Sequence, residues 1–62
     1  MWTQIGKRIR QLRVGRELSQ SELAEKAELS LSLVSKLEAG HKGAKLESLQ
    51  RLAEALDVSL AE

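Results

Sequence analysis

The sequence predicts an all-α fold, a compact bundle of five short helices, and three observations support this prediction. The 62 residues contain no proline and four glycines, so the residues that most often interrupt helices are rare. Residues that favour helices, such as Leu, Ala, Glu, Lys, Arg and Gln, dominate the chain. Apolar residues also recur at spacings of three and four, the period of a helix with one buried face. A chain of this length forms one domain, which we expect to span residues 1–62.

The first two helices are predicted from a stripe of apolar residues and from capping residues. The first helix is expected to begin near Thr3, a residue type suited to the N-cap, and to end at about Arg16. Its apolar stripe falls at positions i, i+4 and i+7 and consists of Ile5, Ile9 and Leu12. Ser19 is followed three residues later by Glu22, the spacing of a capping box. This motif predicts a second helix over residues 20–27.

The third helix is predicted over residues 31–39, between two residues that favour its ends. Ser30 can cap its first turn, and Gly40 can end it in a left-handed conformation. Residues 29–34 alternate between apolar and serine side chains, a pattern that on its own predicts a strand. No second strand is predicted to pair with this segment, so we expect a helix here as well.

The last two helices follow a loop that ends at residue 45. The fourth is predicted from apolar residues at spacings of three and four, namely Leu46, Leu49, Leu52, Ala53 and Leu56. A fifth, short turn of helix is predicted at Val58 and Leu60, introduced by Asp57 and capped by Ser59. The short connections between these elements favour a compact bundle.

The charges are distributed unevenly along the chain. Ten basic and nine acidic residues give a net charge of +1. Residues 1–16 nevertheless hold five basic residues and no acidic one. The nearly neutral average therefore conceals one basic end, which matters for any acidic partner.

The composition argues against several classes of protein. Without cysteine there is no disulfide, thiolate metal site or cysteine nucleophile, and we expect a reducing compartment, the cytoplasm. The chain lacks a run of about 18 apolar residues and the apolar core of a signal peptide, so we expect no membrane partner. One histidine, no phosphate-binding glycine loop and no paired carboxylates predict no catalysis, metal, cofactor or small-molecule substrate.

Residues 20–40, with the sequence QSELAEKAELSLSLVSKLEAG, resemble the helix-turn-helix of phage repressor and Cro-type (XRE-like) regulators. The matching positions are Leu18, Ser19, Gln20, Leu23, Ala24, Leu29, Ser30, Ser32, Val34, Ser35, Leu37, Glu38 and Gly40. The flanking segments IGKRIRQLR and LESLQRLAEALDVSL resemble that family's first and last helices, so the resemblance covers about residues 5–60. It implies one repressor-like domain over residues 1–62, in which helices 2 and 3 form the helix-turn-helix.

The resemblance implies a transcriptional regulator that binds double-stranded DNA with sequence specificity. The helix of residues 31–39 would be the recognition helix in the major groove. A homodimer is also implied, because one module of this size reads little DNA. The candidate dimer residues are Val58 and Leu60, with Trp2 either joining them or completing the core.

Two groups of residues acquire roles from the resemblance. The first comprises DNA contacts to phosphates or base edges, and its members are Gln20, Ser30, Leu31, Ser32, Ser35, Lys36, Lys42, Arg10 and Arg13. Within it, Gln20 lies at the start of the second helix, where backbone N–H groups favour a phosphate, and Lys36 can reach a guanine edge. The second group is an ion pair between Arg13 and Glu38 that would hold the recognition helix to the first helix.

Leu31 and Leu33 depart from the resemblance, because many members of the family carry polar residues at these positions. Both leucines are expected to be exposed, and three explanations are open. They could pack on thymine methyl groups in the major groove. They could form a patch for another protein or a second copy, making the chain an interaction or self-associating module on the same fold. Alternatively, the third helix could be rotated so that one of them is buried.

Three acidic residues stand where the family often has glycine, namely Glu17, Glu28 and Asp57. Glycine there allows the chain to leave a helix in the left-handed conformation. If that conformation is kept, each acidic residue is expected to cost about 1 kcal/mol. Lys45 likewise stands where a Ser or Thr cap is usual, so the start of the fourth helix is expected to lack a side-chain cap.

Overall fold

A computed structural model describes residues 1–58, which form four α-helices. They are α1 (Trp2–Gly15), α2 (Gln20–Ala27), α3 (Leu31–Glu38) and α4 (Leu46–Ala55). The all-α prediction is confirmed for these residues, which contain no strand. The predicted count of five helices is wrong within residues 1–58, because Val58 lies outside any helix. Ser59 and Leu60, where the fifth turn was expected to continue, lie outside the described residues. None of the four helices is long and apolar enough to cross a membrane.

The two central helices begin where the sequence predicts, and a serine side chain caps each start. Ser19 Oγ accepts a hydrogen bond from the Glu22 backbone N–H (3.0 Å), and the Glu22 carboxylate accepts one from the Ser19 backbone N–H (2.8 Å). Ser30 Oγ accepts a hydrogen bond from the Leu33 backbone N–H (3.1 Å). These bonds join residues three apart, so they form from local sequence alone and fix the first residue of α2 and of α3.

The outer helices begin without a side-chain cap. The prediction of Thr3 as the N-cap of α1 is wrong, because α1 begins at Trp2 and Met1 occupies the cap position. The Ile5 backbone N–H donates to the Met1 carbonyl oxygen (3.0 Å), which places Thr3 inside the first turn. At α4, Lys45 occupies the cap position and makes no side-chain capping bond.

Three of the helices end in the same way, with an acidic residue in the left-handed conformation. Glu17, Glu28 and Asp57 have φ angles of 57°, 59° and 58°. The residue after each of them is apolar and half-buried, and its backbone N–H donates to the carbonyl oxygen five residues earlier. These bonds are Leu18 to Arg13 (3.1 Å), Leu29 to Ala24 (2.8 Å) and Val58 to Ala53 (2.9 Å). The geometry is that of the Schellman motif, in which glycine is the favoured left-handed residue.

The core draws buried side chains from all four helices. Helix α1 packs against α3, and α2 packs against both α3 and α4. Leu23 of α2 and Val34 of α3 have no exposed surface, and Ala24 is also buried. A small residue such as Ala24 lets two short helices cross at a steep angle. The buried side of α3 is therefore held by its neighbours, and its other side faces solvent.

Gly6 brings α1 into backbone contact with the end of α3. A Cβ atom at this position would overlap the Leu37 carbonyl oxygen and would also approach the Glu38 carbonyl oxygen. Gly6 is buried within α1, so neither helix can turn aside without disturbing the core. The absence of a side chain at Gly6 thus sets the distance between α1 and the C-terminal end of α3.

Candidate nucleic-acid interface

The exposed face of α3 carries one cation, two hydroxyl groups and one leucine. Its residues are Leu31, Ser32, Ser35 and Lys36, all of which are exposed. Leu31 and Ser35 are four residues apart, as are Ser32 and Lys36, so the four side chains lie on one side of the helix. Val34 and Leu37 on the opposite side are buried in the core. α3 therefore presents a continuous, mostly polar surface to solvent.

Leu31 and Leu33 occupy different environments. Leu31 is the first residue of α3 and 48% of its surface is exposed. The expectation that Leu33 is also exposed is wrong, because Leu33 is half-buried and packs against the core. Leu33 lies one helical turn before the buried Leu37 and therefore shares its side of the helix. The predicted two-leucine surface is thus reduced to Leu31 alone.

Arg13, Gln20 and Glu38 form a hydrogen-bonded network that connects three helices. Arg13 Nε donates to Glu38 Oε2 (2.6 Å) and Arg13 Nη2 donates to Glu38 Oε1 (3.0 Å). Gln20 Nε2 donates to the same Oε1 atom (3.1 Å), and Arg13 Nη1 donates to the Leu18 carbonyl oxygen (2.7 Å). The network therefore ties α1 and the start of α2 to the end of α3.

The ion pair within this network is largely shielded from water. The side chain of Arg13 is 13% exposed and that of Glu38 is 4% exposed. The hydrogen bond to Glu38 raises the pKa of Arg13 above its ordinary value, in spite of the opposing effect of burial. Both oxygens of Glu38 accept hydrogen bonds, and these bonds offset the free-energy cost of burying the charged carboxylate.

The remaining predicted DNA contacts lie at three other places on the surface. Ser30 is exposed at the start of α3, and because its oxygen accepts the capping bond its O–H group can still act as a donor. Arg10 is exposed on α1, and Lys42 is exposed in the connection before α4. The two ion pairs found within residues 1–58 involve neither of these cations. All three side chains are accessible to a partner.

The candidate dimer residues lie elsewhere, and one of them, Val58, lines a groove between α1 and α4. Trp2 and Val58 are half-buried and pack against the core. Leu60 lies outside the described residues. The groove has a volume of about 720 Å³, and the residues that line it include Ile5, Leu12, Leu49 and Val58.

Four hydrogen bonds between side chains or between a side chain and the backbone were not predicted from the sequence. The hydrogen bonds from Gln20 to Glu38 and from Arg13 to the Leu18 carbonyl oxygen join different elements, and no local sequence pattern predicts them. Arg51 also donates to the Glu47 carboxylate (2.9 Å) and to the Glu28 carbonyl oxygen (3.4 Å). The four-residue spacing of Glu47 and Arg51 predicts the first of these two bonds.

Comparison with known proteins gives two similarities. The family model described as Helix-turn-helix matches residues 9–62. Among solved structures, the chain is similar to the restriction-modification controller protein C.AhdI from Aeromonas hydrophila, with 36% sequence identity and a TM-score of 0.89. The similarity covers 94% of this chain and 88% of the controller protein chain. Curated protein sequences gave no match.

Proposed function

The chain belongs to the helix-turn-helix family of DNA-binding regulators, and we propose that it binds double-stranded DNA with sequence specificity through α3 in the major groove. The observation that carries this proposal is the one-sided exposure of α3, whose polar face is accessible while its apolar face is held in the core. The likeness to a controller protein supports a role in transcription regulation rather than catalysis.

The dimensions of α3 suit a major groove. An α-helix with its side chains is about 10–12 Å in diameter, and the major groove is about 12 Å wide. In helix-turn-helix proteins the N-terminal residues of the recognition helix contact base edges. We therefore assign Leu31 and Ser32 to base edges, and Ser35 to a base edge or phosphate. Lys36 has the length and charge to donate to guanine O6 and N7.

Phosphate contacts are proposed around this helix. The Gln20 amide carries two N–H donors, and Glu38 accepts a hydrogen bond from Gln20 Nε2, so one donor remains for a phosphate at the start of α2. Ser30, Lys42 and Arg10 are exposed donors that can follow the backbone on either side of the groove. Arg13 has N–H groups beyond the three that its network uses, and we propose it as a supporting contact.

We further propose that the DNA-binding form is a homodimer. A single module of this size buries little DNA surface, whereas two modules can read half-sites about 34 Å apart. The groove between α1 and α4, which Val58 lines, is the proposed contact surface, and Trp2, which packs against the core, is a further candidate. Leu60 is also proposed as a residue of the dimer contact. Sedimentation equilibrium with and without duplex DNA measures this directly, and a monomer in both samples would overturn the dimer.

Salt-titrated binding to random-sequence duplex DNA tests the central proposal. Affinity is expected to fall steeply with salt, because cations on the protein displace counterions from phosphates. Lys36→Ala is expected to weaken binding, and its matched control is Lys26→Ala, which removes an exposed lysine from α2 rather than from the α3 face. Equal effects of the two substitutions, or no binding at low salt, would contradict the assignment of α3.

A protein-interaction module on the same fold is the second candidate. The exposure of Leu31 is the observation in its favour. Its support is weaker than the sequence indicated, because the half-buried Leu33 does not contribute and single exposed leucines are common on monomeric proteins. Leu31→Ser separates the candidates: loss of self-association with unchanged DNA affinity would favour the interaction module.

A further inference from the structure

We propose that Leu31 reads the 5-methyl group of thymine in the major groove. The inference rests on the proposed function, since it requires α3 to lie in the groove. The inference specifies which chemical group of the base Leu31 recognises.

The position of Leu31 directs its side chain toward the floor of the groove. It is the first residue of α3, and 48% of its surface is exposed. Side chains on a helix point back toward its N-terminus, so the Leu31 side chain extends from the end of α3 that leads into the groove. A leucine at this point meets base edges before the rest of the helix does.

The chemistry of Leu31 restricts which base feature it can contact favourably. A leucine side chain neither donates nor accepts hydrogen bonds, so burying it against a polar base edge leaves donors or acceptors unpaired. In the major groove the four bases present nitrogen and oxygen donors or acceptors, and the apolar group among them is the thymine 5-methyl. Thymine is therefore the base whose edge Leu31 can cover without that loss.

The surroundings of Leu31 fit DNA better than an apolar protein surface. Ser32, Ser35 and Lys36 share its face of α3, and all three are polar and exposed. Leu33, which could have enlarged the apolar area, packs against the core instead. A single apolar side chain on the same face as two hydroxyl groups and one cation matches a thymine edge, where one methyl group lies among hydrogen-bonding atoms and phosphates.

Alternating duplexes of dA–dT and dA–dU provide a test that does not require the natural binding sequence. The two duplexes differ in the 5-methyl group alone. Fluorescence anisotropy at one fixed salt concentration is expected to show about fourfold tighter binding to dA–dT for each bound subunit, the effect of burying one methyl group per Leu31. Leu31→Ala is expected to bind both duplexes equally. Leu46→Ala, which removes another exposed leucine, is expected to keep the preference of the unmodified chain.

The outcomes separate this inference from the proposed function. Equal binding of the unmodified chain to both duplexes would overturn the reading of thymine by Leu31 while leaving DNA binding intact. A preference for dA–dT that persists in Leu31→Ala would also overturn it. Failure to bind either duplex at low salt would overturn the proposed function itself. Circular dichroism of Leu31→Ala verifies that the variant is folded, as expected for a substitution at an exposed position.

Discussion

Arg13 and Glu38 are 25 positions apart in the chain, and their side chains form a two-point contact between α1 and the end of α3, with bonds of 2.6 Å and 3.0 Å. Glu38 also accepts the amide N–H of Gln20. The orientation of α3 and the position of the Gln20 side chain therefore depend on one carboxylate, which is 4% exposed.

Removing either partner of this pair is expected to destabilise the fold. Arg13→Met leaves the shielded Glu38 carboxylate without its cation, and the free energy of unfolding is expected to fall by about 2–4 kcal/mol. Replacing both residues, as Arg13→Met with Glu38→Leu, is expected to cost less than the two single substitutions together, because no uncompensated charge remains. Urea denaturation of the four chains measures the coupling. Strictly additive losses would show that the two side chains do not stabilise each other.

The left-handed helix ends provide a second prediction. Glu28 has a φ angle of 59°, a conformation that costs a non-glycine residue about 1 kcal/mol, and its negative charge opposes the helix dipole at the end of α2. Glu28→Gly is therefore expected to raise the free energy of unfolding by about 1 kcal/mol. The same reasoning applies to Glu17 and Asp57.

A matched control for this prediction lies in the same helix. Glu25 is exposed inside α2, where glycine is expected to lower the free energy of unfolding by about 1 kcal/mol. The two substitutions remove the same side chain and differ in the backbone conformation they meet. Thermal unfolding would contradict the assignment if Glu25→Gly and Glu28→Gly changed stability in the same direction.

What could be predicted from sequence depends on how far apart the interacting residues lie. The starts of α2 and α3 were correct because Ser19 and Ser30 act on residues three positions away. The predicted start of α1 is wrong because the Met1 carbonyl oxygen accepts a helical hydrogen bond without any side-chain cap. No residue type in the sequence indicates such a start. The local sequence pattern therefore predicts the first residue of a helix well when a side chain caps that helix.

Surface assignments needed the packed structure. The sequence predicts that Leu33 is exposed beside Leu31. In the structure Leu31 is exposed, whereas Leu33 packs against the core. The Arg13 and Glu38 contact followed from the family resemblance, whereas the Gln20 bond to the same carboxylate depends on how closely α2 approaches the end of α3. Such contacts between elements are determined by packing, so they cannot be predicted from the periodicity and spacing of residues in the sequence.

The capping box of α2 predicts a dependence of stability on pH. The backbone N–H of Ser19, and then its hydroxyl group, lower the pKa of Glu22 below its ordinary value. The charged form is therefore favoured in the folded state, and its contribution is fully present above the unfolded-state pKa of about 4.3. As the pH falls through the lower folded-state pKa, that contribution is expected to disappear.

Denaturant midpoints measured from pH 6 down to pH 2 test this dependence. Glu22→Gln is expected to flatten the decline below about pH 4, because a glutamine at this position does not titrate. Glu25→Gln, which leaves the capping box intact, is the control and is expected to retain the decline of the unmodified chain. An NMR titration that places the Glu22 carboxyl at or above its ordinary pKa would rule out the capping contribution.

Gly6 provides the most sensitive test of how α1 is packed against α3. Gly6→Ala places a methyl group on the Leu37 carbonyl oxygen, where the neighbouring atoms are backbone and cannot rotate away. The expected loss in the free energy of unfolding is about 3 kcal/mol or more, at the upper end of overpacking effects. Gly15, at the other end of α1, has no atom within 4 Å of the corresponding position. Gly15→Ala is therefore expected to stabilise the chain by about 0.5 kcal/mol through its unfolded state. Urea denaturation in which both alanine variants were equally stable would mean that α1 and α3 do not touch at Gly6.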